Sequence, residues 1–208
     1  MFLKILWVHK ILKILKLAFL VLLGLFIILV IVRAFHFYNQ DKIDAQVAKI
    51  HATKLTLDDV MGKNLPPDPG SLADATIQGI DANNNGIRDD VELAVFKEYP
   101  NFAKTRAVLL QYALALQMEV TLPILNTETA TALMEDNISR ANICFWGLSS
   151  RSNMKKFIAD INKYRNIVEK LQFNNEQRKK VDENFYKYVR SYSASNDGCD
   201  LDLSALSN

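Results

Sequence analysis

The hydrophobic pattern of this 208-residue chain changes after its first forty residues. An apolar run of 16 residues, glycine included, extends without a charge from Leu17 to Val32. As a helix the run is about 24 Å long, and apolar residues on both sides extend it toward the roughly 30 Å of a bilayer's hydrocarbon core. Lys13, Lys16 and Arg33 flank the run, where their charged ends can reach the headgroups. This pattern predicts one membrane-spanning helix.

The rest of the chain has the pattern of helices. Apolar residues recur every three to four positions, and no stretch alternates at period two for long enough to form a strand. Residues 102–120 are apolar nearly all round, which predicts a central buried helix. We therefore predict an all-α fold, with an N-terminal transmembrane helix followed by a helical bundle with short connections in its second half. Further helices are predicted over residues 71–80, 89–99, 127–145 and 151–173, and from 175 or 176 onward.

Prolines divide the chain at residues 65–70. Three of them in this segment remove backbone donors and fix φ, so we expect a linker. Before it, Thr56 and Gly62 predict the start and end of a short capped helix. The resulting division is a cytoplasmic basic segment and anchor (1–39), a stalk helix and linker (40–70), a helical domain (71–193) and an acidic tail (194–208).

Charge is distributed unevenly along the chain. The net charge of +2 combines +5 in residues 1–40, −6 in residues 41–150, +6 in residues 151–190 and −3 in residues 191–208. Internal charge complementarity is the simplest interpretation. No nucleic-acid partner is predicted, because the basic residues lie among helical apolar positions and no binding motif accompanies them.

The lysines also predict the orientation in the membrane. Four lysines and no acid precede the apolar run, whereas the residues after it mix both signs. The positive-inside rule therefore places the N-terminus in the cytoplasm and residues 40–208 on the other side. A cleaved signal peptide, which would release a secreted protein, is the alternative. No small-x-small cleavage site follows the run, so we expect an uncleaved signal anchor.

Residues 81–92 carry the most specific motif of the chain. They read Asp-Ala-Asn-Asn-Asn-Gly-Ile-Arg-Asp-Asp-Val-Glu, which fits the calcium-loop pattern D-x-[DN]-x-[DN]-G-x5-E. Calcium is a hard cation that takes six to eight oxygen ligands, and alternate short side chains before a glycine can direct several oxygens to one point. The predicted ligands are Asp81, Asn83, Asn85, the carbonyl of Ile87, Asp89 and Glu92.

This stretch resembles the EF-hand loop, and in particular the N-G-x-R-D-D-x-E variant of secreted or periplasmic bacterial proteins of undefined function. The resemblance is confined to residues 81–92. Arg88 stands where EF-hand loops carry a branched apolar residue that pairs with a second loop, and the sequence has no second loop. The resemblance thus implies a single, structural Ca²⁺ site. Two asparagine ligands lower its charge, which suits a Kd of ~10⁻⁴ to 10⁻³ M.

The resemblance also implies a bacterial source and therefore a location. It places the anchor in the inner membrane as a single pass and the domain in the periplasm. We expect an unidentified envelope protein as the partner.

A metal-free interpretation of the same residues is a polar turn that caps the next helix. Asp89 would be the N-cap, and Glu92, three residues later, would complete a capping box. This arrangement does not call for oxygen-bearing side chains at alternate positions before Gly86.

The distribution of histidine limits the chemistry of the domain. The chain has only His9, His36 and His51, all in the predicted anchor or stalk. The region from Thr56 onward therefore lacks a Ser-His-Asp triad, a Cys-His pair and a histidine zinc site. We predict no catalytic residue and identify no small-molecule substrate, so the chain is expected to be an interaction or structural module rather than an enzyme.

Carboxylate catalysis is the remaining enzymatic alternative. An envelope hydrolase acting on cell-wall glycan would need an acid with a raised pKa in a cleft. The candidates by position, none of them in a recognisable motif, are Glu119, Glu128, Glu135 and Asp136.

The two cysteines, Cys144 and Cys199, are predicted to form a disulfide if the domain lies in an oxidising compartment. Cys144 also falls on the apolar face of its predicted helix, so a buried free thiol is the alternative.

Overall fold

The structure, a computed structural model, describes residues 2–124, 126–193 and 198–207. Every regular element in these ranges is helical, and they contain no strand, which confirms the predicted all-α class. The chain divides into two compact units, Met1–Asp44 and Ala45–Asn208. The helices are α1 (Phe2–Ala52), α2 (Leu57–Met61), α3 (Asp89–Glu98), α4 (Ala103–Thr121), α5 (Thr127–Leu133), α6 (Arg140–Cys144), α7 (Met154–Gln172) and α8 (Glu176–Tyr188).

The first unit consists of α1 up to Asp44. Between Leu12 and Ala52 this helix contains a segment long and apolar enough to cross a membrane, and none of that segment is buried within the structure. Its large apolar side chains are exposed on all faces. Contiguous apolar surface of this extent is unfavourable in water, so its composition is that of a membrane-crossing segment.

Helix α4 is the centre of the second unit. Residues 105–120 are buried at every position, including the polar ones, which confirms the predicted central helix. Helices α3, α6, α7 and α8 pack around it. Each fully buried Leu or Val of α4 contributes about 1.5–3 kcal/mol, so the surrounding helices depend on this one element.

The last two helices form close to their predicted bounds. α7 lies within the predicted 151–173, and α8 begins at Glu176. An asparagine side chain caps each start: Asn153 accepts the amide of Lys156 at 3.1 Å, and Asn175 accepts that of Arg178 at 3.0 Å. These caps satisfy first-turn donors that have no partner within the helix.

The short capped helix before the linker also forms, as α2. Thr56 and Asp59 make a reciprocal capping box at its start. Gly62 ends it with a left-handed φ of 69°. A Cβ at this glycine would lie 2.8 Å from the Phe96 ring, so the turn needs glycine for both its φ and its packing.

The predicted stalk is not separate from the domain, because the second compact unit already begins at Ala45. Ile50 in the last turn of α1 and Leu55 after it are 1% and 4% exposed. Asn137 also donates its Nδ2 to the Ile50 carbonyl at 3.1 Å. The end of α1 is therefore packed into the domain core.

The predicted helix over residues 71–80 does not form. A 3₁₀ helix, Gly70–Asp74, is followed by irregular backbone. The cause is Arg178 of α8, whose fully buried side chain reaches into this segment. It donates hydrogen bonds of 2.8–3.0 Å to the carbonyls of Ala73, Thr76 and Ile77. The guanidinium thus supplies donors to three carbonyls of the irregular segment, and this tertiary contact takes precedence over the local apolar period.

The helix predicted over 127–145 is continuous in direction but not in type. Its middle, Met134–Ser139, is a π-helix between α5 and α6, and a 3₁₀ turn, Phe145–Gly147, follows. The wider π turn lies where Asn137 and Arg140 contact other parts of the domain. π turns are rare and commonly occur where a helix must place side chains for a specific contact.

The predicted acidic tail is in part an element of the core. Of residues 194–208, 194–197 and 208 lie outside the described residues, whereas 198–207 pack against the domain. Asp200 accepts the Leu55 amide at 2.9 Å and pairs with Arg140 Nη2 at 2.8 Å. Gln111 of α4 bonds to the backbone on both sides of Cys199.

A disulfide joins Cys144, the last residue of α6, to Cys199 of the tail. The structure contains no free cysteine among the residues it describes. In the chain-entropy model, closing a loop of this length contributes about 4 kcal/mol.

Replacement of Arg178 by methionine tests whether it holds the irregular segment. We expect the free energy of unfolding to fall by about 3 kcal/mol, because three carbonyls and the Asp74 carboxylate lose their buried donor. Urea unfolding of the full chain in mild detergent, followed by near-ultraviolet circular dichroism, measures the change. The matched control is Arg190→Met, an exposed arginine, which should stay within about 0.5 kcal/mol of the wild type. Equal losses in both variants would contradict the role assigned to Arg178.

Candidate metal centre

Two residues with positive φ shape the predicted calcium loop. They are Asn84 at 57° and Gly86 at 85°. A Cβ at Gly86 would lie 2.7 Å from Leu114 of α4, so this position requires glycine for its conformation and for its close approach. The following residue, Ile87, is 0% exposed and belongs to the core. The middle of the loop is therefore fixed against α4.

The first three predicted ligands hold the amides of their own loop. Asp81 accepts the amides of Asn85 at 3.1 Å and Gly86 at 2.9 Å. Asn85 Oδ1 accepts the Ile87 amide at 2.9 Å, and Asn83 Oδ1 accepts the Asn85 amide at 3.4 Å. The side-chain oxygens of all three residues thus gather around the same short stretch of backbone.

The last two predicted ligands, Asp89 and Glu92, are 0% and 1% exposed. The Asp89 carboxylate accepts the Ala82 amide at 3.0 and 3.2 Å. Glu92 Oε2 accepts Asn83 Nδ2 at 3.0 Å, and the same nitrogen donates to the Asn64 carbonyl at 2.9 Å. Asn64 is a neighbour that sequence reasoning missed, because no local pattern signals a carbonyl contact across 19 residues.

The capping box considered as the metal-free alternative does not form. The N-cap of α3 is Arg88, and no side chain caps this helix end. Asp89 is its first helical residue, and its carboxylate faces Ala82. Both carboxylates of the supposed box therefore point back into the loop rather than at the free amides of the first turn.

Burial dominates the electrostatics of these two carboxylates. It raises the pKa of Glu92 to about 7, although the hydrogen bond from Asn83 opposes the rise. It also raises the pKa of Asp89, against the hydrogen bond from the Ala82 amide. Within the described part of the chain neither carboxylate forms an ion pair. A buried carboxylate without a cation is unfavourable, and a bound divalent ion would offset that cost.

Arg88, the departure from the EF-hand pattern, attaches the loop to α7. Its fully buried guanidinium donates to Asp90 at 2.5 and 2.9 Å. It also donates to the carbonyls of Leu171 at 2.6 Å and Gln172 at 3.1 Å. These carbonyls lie at the C-terminal end of α7, where a positive charge is favourable. The arginine is thus turned toward α7 and does not neutralise the ligand carboxylates.

The structure gathers the predicted ligands in one loop but does not direct their carboxylates to one point. Among the described residues, no three His, Cys, Asp or Glu side chains lie close enough together to hold a metal ion. The other predicted ligands are amide and carbonyl oxygens, which a hard cation also accepts. The buried Nδ2 of Asn85 has no acceptor, so this amide is only partly satisfied. An all-oxygen set with buried carboxylates fits calcium.

Another buried carboxyl lies outside the loop, at Glu119 of α4. Its side chain is 1% exposed, and within the described chain its oxygens have no partner apart from the Asp182 carboxyl of α8. Burial, reinforced by Asp182, raises the pKa of Glu119 to about 9. Burial likewise raises the pKa of Asp182 itself. Burial thus disfavours the charged form of both carboxyls, an arrangement that sequence reasoning missed because Asp182 carries no local signal.

The other three carboxylate candidates, Glu128, Glu135 and Asp136, line an open groove, which we call the acidic groove. His51 Nδ1 lies 2.8 Å from Asp136 in this groove. The groove also has an apolar part, which includes Val47 and Ala132. The structure does not bring these three together with Glu119, so the four candidates form no single catalytic site.

Comparison of the chain with protein-family models, with curated proteins and with solved structures gives no match.

The Glu119 carboxyl predicts a pH dependence of stability. Its pKa is about 9 in the folded state and 4.5 in the reference state, so the folded state binds the proton more tightly. The free energy of unfolding should therefore fall as pH rises from 4.5 toward 9, by at most about 1.4 kcal/mol per pH unit for this group. Glu119→Gln removes that part of the slope. The charged or titratable neighbours are Asp182 and Tyr186 of α8, and Glu169 and Arg165 of α7.

Urea unfolding of the full chain in detergent at several pH values between 5 and 8 measures this slope. Between the two pKa values of Glu119, its carboxyl loses its proton when the domain unfolds, and these pH values lie within that range. Glu128→Gln, at an exposed position of α5, is the matched control and should follow the wild-type profile. Parallel profiles for the wild type and Glu119→Gln would contradict the assignment of the proton to Glu119.

Proposed function

We propose that the chain is a membrane-anchored protein whose extracytoplasmic helical domain contains a structural calcium site and acts as an interaction or structural module. One observation carries the calcium site. Two carboxylates, Asp89 and Glu92, are buried against a loop of oxygen-bearing side chains, and neither has an ion-pair partner among the described residues.

Calcium would be held by all six predicted ligand residues and would supply the positive charge that this loop lacks. The irregular chain before Arg88 depends on tertiary contacts, whereas α3 is a regular helix packed on α4. A cation bound by ligands on both would fasten the irregular segment to the helix. Binding free energy then becomes folding stability, which is the role of a structural metal.

The anchor and its flanking charges support the proposed location. Four lysines precede the apolar run of α1, so the N-terminus is assigned to the cytoplasm. The domain is assigned to the periplasm of a bacterium, with an envelope protein as its partner. A weak site with Kd in the range ~10⁻⁴ to 10⁻³ M suits compartments where calcium is abundant, and a disulfide suits an oxidising one.

The buried state of Glu119 favours a module over a hydrolase. A hydrolase needs its acid to reach the substrate in a cleft. Both oxygens of this carboxyl are shielded from solvent by the described residues. The candidates that solvent does reach lie in the acidic groove, apart from Glu119.

Thermal melts of the full chain in detergent, with calcium or with a chelator, test the site. Calcium at tenfold its Kd should stabilise the domain by about 1.4 kcal/mol, or roughly 3–5 °C. Magnesium at the same concentration controls for ionic strength and should have a smaller effect, because Mg²⁺ gives up its waters reluctantly and demands a tighter octahedral shell. Equal melting temperatures with calcium and with chelator would overturn the proposed site.

Substitutions assign the effect to the loop. Glu92→Gln and Asp81→Ala should each remove most of the calcium-dependent rise. Asp58→Asn, at an exposed position of α2, makes a similar change of charge outside the loop and should keep the full rise. Loss of the calcium effect in Asp58→Asn, or its retention in Glu92→Gln, would contradict the ligand assignment.

A further inference from the structure

The outer face of α7 carries a row of lysines, Lys155, Lys163 and Lys170, which we call the lysine stripe. All three are exposed, and none forms an ion pair within the described chain. Lys163 and Lys170 are seven residues apart, so they lie on one side of the helix, about 10.5 Å from each other along its axis. The two acids of α7 are bound elsewhere, Asp160 to Lys156 and Glu169 to Arg165. The stripe is therefore a linear positive surface.

The acidic groove has the complementary spacing. Glu128 and Glu135 both line it and are also seven residues apart, or about two helical turns. One Glu135 oxygen accepts the Ser193 amide at 2.7 Å, which holds the side chain in place. Apolar Val47 and Ala132 lie in the same groove and provide surface that a partner helix can cover. A helix with two lysines seven residues apart matches this surface in charge and in spacing.

The basic and acidic regions of the sequence form few ion pairs with each other within one molecule. Among the described residues, a single ion pair, Arg178–Asp74, joins the basic residues 151–190 to the acidic residues 41–150. Of the internal charge complementarity expected from the sequence, the described residues show this one ion pair. The remaining complementarity is available to another molecule that carries the same two surfaces.

We infer that the chain associates with a second copy of itself, with the lysine stripe of one copy in the acidic groove of the other. This inference deepens the proposed role as an interaction module and rests on it, but does not depend on the calcium site. Because the stripe and the groove are different surfaces, the contact is heterologous, and each copy keeps one of each free for a further copy. Anchoring in one membrane raises the effective concentration at which the contact forms.

Reversal of charge on each surface tests the contact. One variant, Glu128→Lys with Glu135→Lys, alters the groove, and the other, Lys163→Glu with Lys170→Glu, alters the stripe. Full chains with donor or acceptor fluorophores at the N-terminus are placed in vesicles of neutral lipid. Energy transfer is expected in the wild type and should fall several-fold in each variant alone, because like charges then face each other. A mixture of the two variants should restore transfer, because each then offers the charge that the other requires.

The matched control is Lys180→Glu with Lys187→Glu on α8, which has the same spacing and the same change of charge at exposed positions. Its energy transfer should equal that of the wild type, and added salt should weaken energy transfer in both the wild type and this control. The inference is overturned if the wild type shows no transfer in neutral lipid, if the mixture fails to restore it, or if the α8 control loses it equally. Association of the wild type only in vesicles with phosphatidylglycerol would assign the stripe to anionic headgroups and would also overturn it.

The calcium melts separate this failure from failure of the proposed function. A chain that keeps its calcium-dependent rise in melting temperature but shows no energy transfer lacks the self-contact alone. Near-ultraviolet circular dichroism of each variant confirms that the exposed substitutions leave the domain folded.

Discussion

Buried guanidinium groups that bind backbone carbonyls are the interaction on which the domain depends. Arg88, Arg106 and Arg178 are 0%, 5% and 0% exposed, and each donates to carbonyls of segments far from it in the chain. Arg106 on α4 donates to the carbonyls of Val60 at 3.0 Å and Tyr99 at 2.8 Å, at the ends of α2 and α3. A buried charge is tolerated only when it is fully hydrogen-bonded, so these carbonyls and guanidiniums require one another. The irregular chain between α2 and α3 follows from that requirement.

The end of α1 is held by a different set of contacts. The Asn137 amide, the Arg140–Asp200 pair and the disulfide at Cys144 all lie near the point where this helix joins the domain core. The C-terminal tail is thereby part of the same attachment, although it is the most distant part of the chain. A helix with the composition of a membrane anchor thus ends inside a cross-linked core rather than in a free stalk.

The proposed calcium loop is held by its own hydrogen bonds. Its side chains already hold its own amides, and Glu92 holds Asn83. An ion would have to draw these carboxylates together and would replace some of those hydrogen bonds. The competing hydrogen bonds lower the net free energy of binding. This expectation agrees with the low affinity inferred from two asparagine ligands. Arg88, where the EF-hand pattern has an apolar residue, contacts the end of α7 instead.

Local pattern was sufficient to predict elements whose causes are local. The burial of α4, the extents of α7 and α8, the short capped helix α2 and the glycine turn of the proposed calcium loop all follow from residues within one or two turns of each other. The apolar run of α1 is readable for the same reason, since length and composition alone define it.

Tertiary structure decided the rest, because the deciding partners are distant in the chain. The helix expected over 71–80 is replaced by irregular backbone because Arg178 binds its carbonyls from about a hundred residues away. The end of the predicted stalk, at Ile50 and Leu55, is buried where Asn137 and Asp200 reach it across 87 and 145 residues. At the candidate site, spacing alone identified the oxygen-bearing residues. Only the packed fold buried Glu92 without an ion-pair partner among the described residues, and that burial is the cost that the proposed cation would offset.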